Sequence, residues 1–244
     1  MNVLTTAFED LGKLNRPIMV LALRGWFDIA EVATDAVETL AADRITPVVA
    51  AIDPDPFFDF TQERPHVAFD DDEERQIHWP ENEFRVARFP GCAHDLVLLA
   101  GVEPHLRYAT FADAIIEVAT ALGCEVVVTV GAAPEAVPHS RPPQVTGSST
   151  TVGLARALGL GRPKYQGVTG LVGVLQERLD RAGIPGRLIA RGRAALPRQR
   201  QASAIVGGTV GPPGTRARHL GSTWLAGRGR NALARPTRRG GCRG

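Results

Sequence analysis

Short apolar runs alternate with helical periods along the first three quarters of the chain, and this alternation constrains the fold more than any other feature. "PIMVLALR" (17–24) is an apolar run of strand length. Behind it, Ile29, Val32, Ala33, Ala36, Val37, Leu40 and Ala41 recur at helical spacing. Asp28 stands where a helix needs an N-cap, and Glu31 follows three residues later as a capping-box partner. "PVVAAID" (47–53) is the next strand. A strand, an amphipathic helix and a second strand predict a parallel pair joined by a right-handed crossover.

The pattern continues. "DPDPFFDF" (53–60) breaks regular structure with two prolines, and "DDDEER" (70–75) reads as a solvated acidic loop. "QIHWP" and "EFRVARF" (76–80 and 83–89) are short and β-prone, and suit a hairpin or edge strands. "DLVLLAG" (95–101) predicts a buried strand. The helix after it has Phe111, Ala114, Ile115, Val118, Ala119 and Leu122 on its apolar face, Thr110 as cap, Asp113 as box partner and Gly123 as stop. "EVVVTVGA" (125–132) is the strongest strand, followed by the long loop "APEAVPHSRPPQVTGSS". "TTVGLARALGL" and "GLVGVLQERLDRAG" predict two more helices. The fold class is therefore α/β, a mostly parallel sheet flanked by helices.

Charge divides the chain in two. Arg187 to Gly244 hold 13 Arg and no Lys, Asp or Glu, so residues 1–186 carry 15 basic against 26 acidic side chains, a net −11. An acidic body does not suit polyanion binding, which needs clustered Lys and Arg. Cys92, Cys124 and Cys242 lack CxxC spacing and cannot form a disulfide framework, which fits a reducing compartment. The N-terminus lacks a long apolar core of the signal-peptide kind, and no apolar run approaches the roughly 20 residues that span a bilayer. The expectation is a cytoplasmic protein without a membrane segment.

In open parallel sheets, ligands bind beyond the carboxyl ends of the strands. That rule selects "RGWFD" (24–28), "GVEPHLR" (101–107) and "PHSRPPQVTG" (138–147). They carry Arg24, Asp28, Glu103, His105, Arg107, His139 and Arg141 as candidate ligand or partner residues. Each also has a plainer role: Asp28 as helix cap, Glu103 and Arg107 as ion-pair partners, His139 as loop brace, Trp26 as packing anchor. No catalytic set is assigned. There is no GxSxG elbow, no HExxH, no histidine at metal-ligand spacing and no GxxxxGK[ST] loop. No cofactor or metal is expected. "GSSTTVGLARALGLG" could hold an anion at a helix start, but lacks the P-loop lysine.

"LRGWFDIAEVATDAVETL", "VVAAIDPDPFFDFTQERPHV", "LLAGVEPHLRYATFADAI", "VVVTVGAAPEAVPHSRPPQVTGSS" and "KYQGVTGLVGVLQERLDRAGIP" occur in this order. Together they resemble the proteasome assembly chaperone 2 family in its actinobacterial branch, over about residues 21–185. "GVEPHLR…TF" and "VPHSRP…VTG" carry the resemblance best. "GWFDIAE" departs from the family pattern, where a smaller residue follows the aspartate, and so does "GAAPEAV", where a more apolar loop is usual. The resemblance implies a phosphorylase/hydrolase-like α/β fold and a homo-oligomer. It also implies a role in binding other proteins, with proteasome core subunits as partners, rather than catalysis. It carries over no established catalytic group.

After "RAGIP" the family pattern continues with an apolar strand and further helices. Here the chain turns to Arg, Gly, Pro and Ala. The domain reading is an α/β body over 1–186, incomplete at its C-terminus, and an Arg/Gly/Pro/Ala-rich tail over 187–244. These four residue types have GC-rich codons and the switch is abrupt, so the tail reads as an out-of-frame translation. The alternative is a basic disordered arm, the only part of the chain suited to nucleic acid. Trp224 is its single aromatic, and stacking arms carry more. Two functional readings stand for the body. One is a protein-binding, assembly-chaperone-like protein. The other is a hydrolase- or phosphorylase-type enzyme with Glu103 or His139 in acid–base roles and Arg107 or Arg141 on an anionic group.

Overall fold

The computed structural model describes residues 3–41, 47–70, 73–135, 145–149, 156 and 166–194. The chain opens with β1 (Leu4–Thr6) and β2 (Ile18–Arg24), then α1 (Val32–Ala41) and β3 (Val48–Ile52). A hairpin of β4 (His66–Phe69) and β5 (Arg75–His78) precedes β6 (Glu83–Ala87) and β7 (Leu96–Val102). α2 (Tyr108–Ala121), β8 (Val126–Glu135), β9 (Val145–Ser149), α3 (Leu171–Arg181) and β10 (Gly186–Ala194) complete it.

Eight strands form one sheet in the order β1-β3-β6-β7-β2-β8-β10-β9. β7, β2, β8 and β10 are parallel neighbours at its centre. β6, β3 and β1 continue one side by antiparallel pairing, and β9 closes the other. The sheet is mixed: parallel where helices cross over, antiparallel where shorter links suffice. β3 does not pair with β2, as the β–α–β reading expected, because β6 and β7 come between them. Residues 83–89, expected as a hairpin or edge, supply an interior strand. Of residues 76–80, Gln76–His78 belong to Arg75–His78, which pairs instead with His66–Phe69 in a separate hairpin. Part of the expected loop after β8 is a strand, β9, paired with β10. β10 carries the sheet on from Gly186 to Ala194, across the expected domain boundary. The helix expected at 150–160 lies outside the described residues apart from Arg156.

Both faces of β2 are covered, which is why it reads as an unbroken apolar run. Met19, Leu21 and Leu23 point to the α2–α3 side, with Phe57, Phe84, Phe111, Ile115, Leu171, Leu175 and Leu179. Val20 and Ala22 point to the α1 side, with Ala33, Val37, Leu98 and Ala132. A fully buried Leu or Phe contributes about 1.5–3 kcal/mol over an exposed one. The Phe- and Leu-rich α2–α3 layer therefore dominates stability, and the alanine-rich α1 layer adds less. Cys124 is a free thiol.

Candidate functional site at the strand ends

Parallel pairing brings the carboxyl ends of β2, β7 and β8 to one side. Glu103, just past β7, ties the loops there together. Its backbone N–H donates to the Arg24 carbonyl at 2.9 Å. Its Oε2 accepts from the Trp26 N–H at 3.0 Å, and its Oε1 accepts from the Leu171 N–H at 2.8 Å. Leu171 opens α3, whose own N-cap, Gly170, makes no side-chain cap bond. A helix start leaves N–H groups without intrahelical partners and favours negative charge. Glu103 meets both needs from a residue 68 positions away. Two glycines make the room. A Cβ at Gly25 would lie 2.7 Å from Glu103 Oε2, and one at Gly170 would lie 2.3 Å from Oε1.

Asp28 is a helix cap. It is buried at 4% exposure. Oδ1 accepts from the Ala33 N–H at 2.7 Å, while Oδ2 accepts from the Thr34 N–H at 3.1 Å and the Thr34 hydroxyl at 2.7 Å. The expected capping box does not form. Ala30 and Glu31 adopt left-handed φ of 53° and 58° in a short turn, so α1 begins only at Val32. The cap reaches over that turn to the helix behind it. Asp28 is also bridged to Ala132, and the Ala132 N–H donates to the Phe27 carbonyl. The Phe27 ring covers Gly131, where a Cβ would be 2.0 Å from Cε1.

The other candidates separate. Arg24 is paired with Glu63 at 2.5 Å. His105 accepts from the Asp59 N–H at Nδ1 and stacks edge-on against Phe58, 5.7 Å between ring centroids, so it braces the loop after β3. Hydrogen bonds from Gln62 and Thr61 hold the Asp59 carboxyl down at about 2. Burial, followed by the charge of Glu103, pushes the Tyr108 phenol up. Arg107 takes a left-handed φ of 53° and is itself the N-cap position of α2, so Thr110 lies inside the helix. Asp113, expected in a capping box, instead pairs with Arg178 of α3. The Arg107 guanidinium is exposed and has no partner among the described residues. His139 and Arg141 lie outside the described residues. Arg24, Asp28, Glu103 and Arg107 share one end of the sheet, but the first three are engaged in structural contacts.

The sequence reading missed what surrounds Arg107. Trp26, expected to pack inside, is 64% exposed, Leu106 is 51% and Val168 is 81%. Trp26 is bonded to Glu103, Leu106 follows Glu103 by three residues, and Val168 precedes Leu171 by three. The Glu103 clamp therefore holds an apolar rim beside a free arginine. Among the described residues, no group of three or more His, Cys, Asp or Glu could hold a metal ion. No helix there is long and apolar enough to cross a membrane.

The sheet order, the two helical layers and the clamped loops define an α/β protein with a pre-shaped rim at its strand ends. The PAC2 family model matches residues 22–191, and the chain belongs to that family. It is similar to a PAC2 family protein from Streptomyces avermitilis, at 38% identity and TM-score 0.70, covering 73% of this chain and 76% of that one. It is also similar to a proteasome-assembly chaperone homologue from Mycobacterium tuberculosis, at 35% identity and TM-score 0.66, covering 72% and 75%. PbaB, an archaeal proteasome activator from Pyrococcus furiosus, shares the fold at 16% identity and TM-score 0.62, covering 79% and 81%. No curated protein matches the chain.

Proposed function

We propose that this chain is a non-catalytic, self-associating assembly chaperone of the cytoplasm, whose strand-end rim docks proteasome core subunits. The carrying observation is the division of labour around Glu103. Glu103 and Asp28 hold backbone N–H groups, whereas Trp26, Leu106 and Arg107 project outward. Trp and Arg dominate the energetics of protein interfaces, most of all when their backbone is fixed in advance. The name of the Mycobacterium relative, a proteasome-assembly chaperone homologue, gives the partner class.

The test uses purified proteasome core subunits of the source organism and the full chain. Binding is expected, and Trp26→Ala or Arg107→Ala should weaken it about tenfold or more. Absence of binding, or variants that bind like the parent, would refute the proposal. The enzyme reading predicts something else: a nucleotide or phosphate that raises the melting temperature of the parent and not of Arg107→Ala.

A further inference from the structure

On the α1 side of the same sheet end lies a groove of about 390 Å³. Glu31, Asp35 and Glu38 of the α1 segment form one wall, and Trp79 and Glu81 at the foot of the hairpin form the other. The groove floor includes Ala100 and Val102. A second cavity of about 260 Å³ continues it past Glu38 and Glu81 to Leu98. Cations also face this space, but two of them are matched: Arg24 pairs with Glu63 and Arg85 with Glu83. Arg64, His66 and His78 line it as well. Glu31, Asp35, Glu38 and Glu81 form no ion pair among the described residues. Asp35 and Glu38 lie one turn apart on α1, and Glu31 stands in the turn before it, so three like charges share one wall and an opposing cation relieves their repulsion.

The rim described above has the complementary character. It offers one unpartnered guanidinium, Arg107, beside the exposed Trp26 and Leu106. Arg107 caps α2, whereas Glu31, Asp35 and Glu38 belong to the α1 segment, and α1 and α2 cover opposite faces of the sheet. Two complementary patches at different places on one chain associate head to tail.

We propose that the occupant of the groove is a second copy of this chain, with Arg107 of one copy seated among Glu31, Asp35, Glu38 and Glu81 of the next. The inference rests on the self-association proposed above and adds the contact that makes it; the same rim docks core subunits, so a second copy and a core subunit compete for Arg107. Leu106 and Trp26 of the inserting copy meet Trp79 and the aliphatic floor. The burial supplies affinity and the charges set the orientation.

Sedimentation equilibrium of the full chain at micromolar concentration tests this. The parent should be oligomeric and dissociate as salt is raised. Arg107→Glu should weaken self-association at least about tenfold, and so should Glu38→Arg combined with Glu81→Arg. Mixing the two reversed-charge chains should restore the assembly, since each rim then faces a groove of opposite sign. Circular dichroism and melting temperature confirm that the variants fold. A monomeric parent, variants that assemble like the parent, or a mixture that fails to assemble would each overturn the contact. So would an arginine-rich peptide that binds the groove without changing the protein's mass. A monomer that still binds core subunits would refute self-association and this contact together and leave the docking of core subunits intact.

Discussion

Glu103 connects three segments through one carboxylate, so its replacement is informative at the scale of a single residue. Gln keeps the shape but turns an N–H₂ toward one of the two backbone donors now satisfied, those of Trp26 and Leu171. Leaving a partly buried donor unpaired costs about 1–3 kcal/mol. Glu103→Gln should lower unfolding stability by about that much in urea titration. Gly170→Ala should do likewise by driving a Cβ to 2.3 Å from Oε1. If both variants match the parent, the clamp is not a structural element. Asp28 was legible in the sequence as a cap, because capping is local. Glu103 was legible only as a polar strand-end residue. Its partner is a backbone N–H 68 positions away, and backbone donors leave no mark in a sequence.

Among the elements, the hairpin of β4 and β5 stands apart. All eight of its strand residues are exposed, including Phe69 at 71% and Val67 at 51%. A two-stranded ribbon without a covered face is marginal in water. Its amides should therefore exchange with deuterium far sooner than those of β2, whose Met19, Leu21 and Ala22 are fully buried. Equal protection in the two would show that the hairpin is covered in solution. The sequence predicted a β-prone segment at 76–80, where β5 falls, and no strand at 66–69. It placed residues 83–89 in a hairpin or at an edge, whereas β6 runs between β3 and β7. Strand order depends on which surfaces close over the core, and a short β-prone run fits an interior or an edge equally.

For the whole molecule, pH probes how tightly the α2–β8 corner closes. Burial raises the Cys124 thiol to about 12, and burial raises the Tyr108 phenol in the same direction. A folded-state pKa above the unfolded value contributes stability that is complete below the unfolded pKa and lost as pH rises toward the folded one. Unfolding free energy should therefore fall between the ordinary thiol range and pH 12. Cys124→Ala should flatten the part due to the thiol. Native Cys124 should also resist iodoacetamide at mildly alkaline pH and react once unfolded, since the thiolate is the nucleophile. Rapid alkylation of the native chain would show that the corner opens.

Local periodicity determined the α/β class, most of the strands and the three helices that fall among the described residues. Those features follow from side-chain spacing within a dozen residues, and nothing distant can change a period of two or 3.6. The acidity of the body was also set by composition alone. Tertiary structure decided the strand order, the exposure of Trp26, the Glu103 clamp and the isolation of Arg107. Each depends on groups brought together from loops far apart in the chain, where contact follows from how the sheet closes and not from spacing along it.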